Sequence, residues 1–93
     1  MRTIKRTTQF KRDYTREKRR QHGVTLDNDL SKAIELLVID AQLPKCMREH
    51  PLIGDWKDCR DCHIKSDLVL IYQKSDDYTL KLIRLGSHSE LSL

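Results

Sequence analysis

The stretch LVLIY, Leu68 to Tyr72, is apolar at five successive positions. A strand that buries one face alternates apolar with polar residues, and a strand without that alternation is covered on both. This stretch is therefore expected to be the central strand of a sheet. Ser66-Asp67 before it and Ser75-Asp76-Asp77 after it are turn formers. They separate Leu68–Lys74 from two further strands, Trp56–Ile64 and Tyr78–Leu85, joined as an antiparallel meander. Upstream, Leu43 to Gly54 (LPKCMREHPLIG) has no period and carries Pro51 and Gly54, so it reads as a loop. The segment Thr25–Gln42 places Leu26, Leu30, Ala33, Ile34, Leu37, Val38 and Ala41 on one helical stripe. Thr25 or Asp27 can cap its start, and Pro44 ends it. Before it, Thr8 is suited to cap a helix with Phe10 and Tyr14 at i, i+4 and basic residues on its other faces. His22 falls in the last turn of that helix and Gly23 stops it. Thr3–Thr7 reads as a short strand, and the tail GSHSELSL has room for one last turn. The expected fold is α+β, a single domain over residues 1–93. It has an N-terminal strand and two helices packed on one face of an antiparallel sheet of about four strands. The opposite sheet face is left for a ligand.

Composition narrows the function classes. Of 93 residues, 38% are hydrophobic and 34% charged, which suits a globular protein with a wet surface. The longest apolar run is far too short to span a bilayer, so no membrane partner is expected. The opening MRTIKRTTQFKRDY has basic residues with no apolar region behind them and does not read as a secretory signal; the cytoplasm is the expected compartment. The net charge is +4, and half of the 18 Lys and Arg residues lie in the first twenty positions, opposed there by Asp13 and Glu17. Lys11, Arg12, Arg16, Lys18, Arg19 and Arg20 are thus candidates to contact a polyanion or an acidic protein. A solvated helix face accounts for such a run equally well.

The segment CRDCH, Cys59 to His63, has the C-x-x-C-H spacing of a c-type haem attachment site. In a strand, however, Cys59, Asp61 and His63 share one face while Arg60 and Cys62 point to the other. Two thiols on opposite faces cannot grip one haem edge or one zinc ion. Cys62 then reads as a small core residue and Cys59 as incidental, and neither a metal nor a cofactor is expected. The histidines carry more. His50, His63 and His88 lie in the second half beside the basic Lys57, Arg60 and Arg84, and Asp67 follows His63 by four residues. Imidazole titrates near ~6.5 and exchanges protons at neutral pH. RNA holds its own nucleophile, the 2′-hydroxyl, next to a phosphodiester. A base at that hydroxyl, cations at the phosphoryl oxygens and an acid at the departing 5′ oxygen would cleave it without metal.

HPLIGDWKDCRDCHIKSDLVLIY, followed by RLGSHSEL, resembles the YafQ-type toxins of the RelE/ParE superfamily, over about the last half of the chain. The resemblance implies a RelE-like fold and a toxin of a type II toxin-antitoxin system. Such toxins enter the A site of the 70S ribosome and cut mRNA there without metal, and a cognate antitoxin neutralises them. It also implies that the cysteines of C-x-x-C-H are dispensable. Matched position by position, His50, His63, Asp67 and His88 are the implied catalytic residues, and Lys57, Arg60 and Arg84 the implied phosphate-binding residues. His50 and His63 would handle the 2′-hydroxyl or its phosphate, Asp67 would act as base or orient a histidine, and His88 would protonate the leaving oxygen. The family's pattern often has an aromatic residue after the last histidine, where Ser92 stands here, so base stacking is expected to differ. Two rival readings remain: a ParE-like protein that inhibits DNA gyrase by binding, disfavoured by the histidines, and a zinc or redox domain built on the cysteines.

Overall fold

A computed structural model describes residues 1–20 and 23–93 of the chain. Its seven main elements are β1 (Thr3–Arg6), α1 (Thr8–Lys18), α2 (Gly23–Val38), β2 (His50–Pro51), β3 (Arg60–Lys65), β4 (Leu68–Gln73) and β5 (Thr79–Gly86). The strands form one sheet in the order β1-β5-β4-β3-β2. The apolar run is its middle strand, and Leu68 to Tyr72 are all at most 1% exposed. Alternation then divides the core into two layers. Leu68, Leu70 and Tyr72 of β4 join Cys62, Leu80, Leu82 and Leu85 beneath Phe10 and the α2 stripe of Leu26, Leu30, Ala33 and Leu37. Val69 and Ile71 point the other way, against Cys59, Leu91, Leu52, Trp56 and Ile83. The second face is therefore not bare: the 52–59 loop and the C-terminal tail cover part of it.

The architecture differs from expectation at its edges. The described residues form five strands rather than about four, because His50–Pro51, inside the expected loop, pairs antiparallel with β3. β1 runs parallel to β5 while the other pairs are antiparallel. Two helices and three strands separate β1 from β5 in the chain, ample length for the pair to run parallel. β3 begins at Arg60, later than Trp56, since Gly54–Trp56 forms a 3-10 turn with Gly54 at φ +68°.

Helix ends also differ, for local reasons. Thr7, not Thr8, caps α1: its Oγ1 accepts from the Phe10 N–H at 3.0 Å. α1 stops at Lys18, and Gly23 opens α2 instead of closing α1. A Cβ on Gly23 would lie 2.0 Å from the Lys18 carbonyl oxygen, so only glycine permits this approach of the two helices. The expectation for His22 lies outside the described residues. α2 ends at Val38, well before Pro44, in a Schellman motif. Asp40 takes the left-handed conformation at φ +57°, with Ala41 N–H donating to the Leu36 carbonyl and Asp40 N–H to that of Leu37. Arg2 and Lys74 both donate to the Asp40 carboxylate and hold its pKa down to about 2.

Candidate active site

Register gathers the site. His50 on β2 lies directly opposite Asp61 on β3, so their side chains share a face of the sheet. Asp61 and His63 are two residues apart on one strand and share that face too. His88 arrives from the tail, its ring centroid 4.9 Å from that of His63 at an interplanar angle of 51°. The three histidines and Asp61 thus converge from β2, β3 and the tail on the face away from the helices. Beside them a cavity of about 420 Å³ is lined by residues that include His50, Asp61, His88, Trp56, Ser92 and Leu93.

Asp61 is 1% exposed, and burial pushes its pKa up, with the charges of His50, His63 and His88 pulling the other way. Its Oδ1 lies 2.9 Å from Nδ1 of His50. That nitrogen is also 3.0 Å from the Arg48 carbonyl oxygen, and among the described residues no hydrogen bond is aimed at Asp61 Oδ1. Facing the Arg48 carbonyl oxygen, which can only accept, Nδ1 holds the proton of the neutral ring, and Nε2 keeps a free lone pair. Arg48 sits in the left-handed region at φ +48°, which turns the chain into β2 and brings its carbonyl to His50. His63 is 9% exposed, and its pKa is lowered by burial first and by His88 second.

The other sequence candidates separate. Asp67 lies in the exposed two-residue turn between β3 and β4, and among the described residues it makes no hydrogen bond to a site histidine. Lys57 is exposed at the end of the 3-10 turn. Arg60 is half exposed and donates to Glu49 at 3.4 Å; the other Glu49 oxygen accepts from the buried Tyr72 hydroxyl. Arg84 is turned onto Asp13 of α1, Nε to Oδ2 at 2.7 Å and Nη2 to Oδ1 at 3.3 Å. Asp13 is 2% exposed and accepts from the Leu85 N–H and from Arg16 as well. Arg16 and Arg20 pair with Glu17 and Glu90, and Lys18 with Asp27. Lys11, Arg12 and Arg19 are exposed and make no ion pair among the described residues. Of the basic run, then, half is engaged inside the molecule.

The cysteines divide as strand alternation requires. Cys62 is fully buried beneath the helices, its thiol pushed up to about 12 by burial, and Cys59 is buried in the opposite layer. Sequence reasoning placed Asp61 on the face of His63 but did not enlist it. The signal that would have found it, the pairing of β2 with β3, rests on two residues too few to read as a strand.

Similar proteins share this geometry's chain length and fold. The family model for YafQ, the bacterial toxin of type II toxin-antitoxin systems, matches residues 2–93. A Haemophilus influenzae protein named putative toxin YafQ is 42% identical over 88 residues, 91% of this chain and 86% of its own. The mRNA interferase toxin YafQ of Escherichia coli K12 is 34% identical over 91 residues, covering 97% of this chain and 95% of that one. The crystal structure of the E. coli DinJ-YafQ complex contains a chain that is 31% identical, covers 98% of both chains and superposes with a TM-score of 0.79.

Proposed function

The chain belongs to the YafQ family of bacterial toxins of type II toxin-antitoxin systems, and from that premise we propose that it is an mRNA interferase that cuts mRNA in the ribosomal A site by acid-base chemistry. The observation that carries the mechanism is the convergence of His50, His63 and His88 around Asp61. His50, with its Nδ1 proton facing oxygens, presents Nε2 as the base that takes the proton of the 2′-hydroxyl. The 2′ oxygen attacks phosphorus, the bond from phosphorus to the 5′ oxygen breaks, and His88 donates a proton to that oxygen. The products are a 2′,3′-cyclic phosphate and a 5′-hydroxyl. His63, its pKa lowered by burial, packs beside His88 and would meet the phosphate. Asp61, 2.9 Å from His50 Nδ1, orients His50; Asp67, which the resemblance implied as base or as the residue that orients a histidine, would act from the exposed turn only if bound RNA meets it. Lys57 and Arg60 are exposed cations on β3 and its approach, Arg60 on the strand face opposite Asp61 and His63. Arg84 acts from behind, through Asp13. The reaction needs no metal in this scheme.

Two partners follow. An antitoxin is the first, because the related E. coli toxin is crystallised with DinJ. The 70S ribosome is the second, met in the cytoplasm through the exposed Lys11, Arg12 and Arg19. No helix among the described residues is long and apolar enough to cross a membrane. The test is toeprinting on ribosomes programmed with a defined mRNA. Wild type is expected to leave a new 3′ end inside the A-site codon, lost with His50→Ala or His88→Ala. Cleavage of free mRNA at the same site without ribosomes would contradict the A-site scheme. No cleavage at all by folded protein would favour the gyrase-binding alternative.

A further inference from the structure

The tail that carries His88 is built to a recognisable plan. Ser87-His88-Ser89-Glu90 is a capping box: the Glu90 N–H donates to Ser87 Oγ at 3.2 Å, and the Ser87 N–H donates to Glu90 Oε1 at 3.1 Å. The turn continues with Leu91 N–H to the Ser87 carbonyl and Leu93 N–H to that of His88. The box fixes the backbone on both sides of His88. What fixes the box is α1. Glu90 pairs with Arg20 at 3.1 Å and with Arg16 at 3.5 Å. Arg16 also donates to the Leu85 carbonyl at 2.9 Å, just before the tail leaves β5. Arg16 and Arg20 share Glu17, which is buried. A Cβ on Gly86 would meet Arg16 Nη2 at 3.0 Å and Glu90 Oε1 at 3.5 Å, so a glycine there lets the guanidinium and the carboxylate close over the strand end. Leu91, 1% exposed, anchors the far side of the turn, and its carbonyl accepts from Trp56 Nε1 at 3.1 Å.

We infer that Glu90 is a positioning residue for the cleavage reaction: held by Arg16 and Arg20, it sets His88 against His63 through the Ser87–Glu90 capping box. This rests on the functional reading above. It also assigns Arg16 and Arg20, two members of the basic run, to the active site's internal support. Among the described residues Glu90 makes no hydrogen bond to a site histidine, and it has no acid-base part. Its carboxylate is held down to about 2, first by the Ser87 N–H, so its charge persists through the whole working range of pH.

The test compares Glu90→Ala, Glu90→Gln and Ser89→Ala, whose exposed side chain stands outside the network, in ribosome-programmed cleavage and by imidazole NMR of His63 and His88. Glu90→Ala is expected to lower kcat about tenfold or more with KM within about threefold, since misplacement by 1 Å costs this order. The His63 and His88 resonances should shift or broaden together. Glu90→Gln, which keeps an acceptor for the Ser87 N–H, should fall between Ala and wild type. Arg20→Ala should lower kcat; a rise in KM alone would mark Arg20 as a ribosome contact and remove it from the network. Wild-type kcat in Glu90→Ala with unmoved imidazole resonances would overturn the inference. So would equal losses from Glu90→Ala and Ser89→Ala. Circular dichroism and thermal melting establish that each variant is folded. If wild type itself fails to cleave, the functional reading fails, and the NMR comparison alone still decides whether Glu90 positions His88.

Discussion

At the scale of single residues, the site depends on burial more than on exposed charge. Asp61 is the common neighbour of three imidazoles, and its replacement leaves His50 without its carboxylate partner. Asp61→Asn is expected to lower kcat by roughly tenfold to a hundredfold, the order that misplacing a working group by about 1 Å costs, with the fold retained by circular dichroism. Near-wild-type turnover would place the His50 anchor on the Arg48 carbonyl alone. His63 supplies a pH test. Its folded pKa lies below the ordinary value near ~6.5, so between the two the unfolded chain binds the proton more readily and stability falls as pH falls. Melting temperature should therefore decline as pH drops below ~6.5, and His63→Gln should flatten that part of the profile. An unchanged slope in the variant would assign the acid sensitivity to other groups.

At the scale of elements, α1 shows how a basic helix can be internal. Its buried residues are Phe10, Asp13 and Glu17, one aromatic and two carboxylates. The carboxylates draw Arg16, Arg20 and Arg84 inward, and Asp13 also accepts the Leu85 N–H, so one buried group joins α1 to the end of β5. Removing one partner of a buried charge group leaves the others unpaired and costs about 3–5 kcal/mol. Asp13→Ala is accordingly expected to lose on this order in a denaturant titration. A change within ~0.5 kcal/mol, the range of ordinary surface substitutions, would show that the arginines find water instead. The capping box of the tail is the end of this same chain of contacts, which is how α1, on one face of the sheet, bears on His88, near the other.

For the whole molecule, the net charge of +4 misstates what is free to meet a polyanion. Ribosome binding should fall with salt, as phosphate contacts do, and should weaken in a Lys11→Glu, Arg12→Glu, Arg19→Glu variant that melts like wild type. Arg84→Ala should instead lower the melting temperature. If the triple variant binds as wild type at low salt, the basic run serves only the fold and solubility.

The central strand, the α2 stripe, the meander and the three histidines were legible because each follows from local periodicity or from residue chemistry. A run such as LVLIY has one way to be buried, and imidazoles are few. The split of the two cysteines between two layers was legible for the same reason, since alternation is a property of the strand alone. What tertiary structure decided was pairing across distance. The two-residue β2 exists only because β3 is beside it, and through it Asp61 meets His50. The parallel β1 depends on where two helices return the chain. A sequence shows the charge of Arg16, Arg20 and Arg84 but not the buried carboxylates that claim them. An ion pair is chosen by proximity in space, and residues 13 and 84 become neighbours only when helix and sheet have packed.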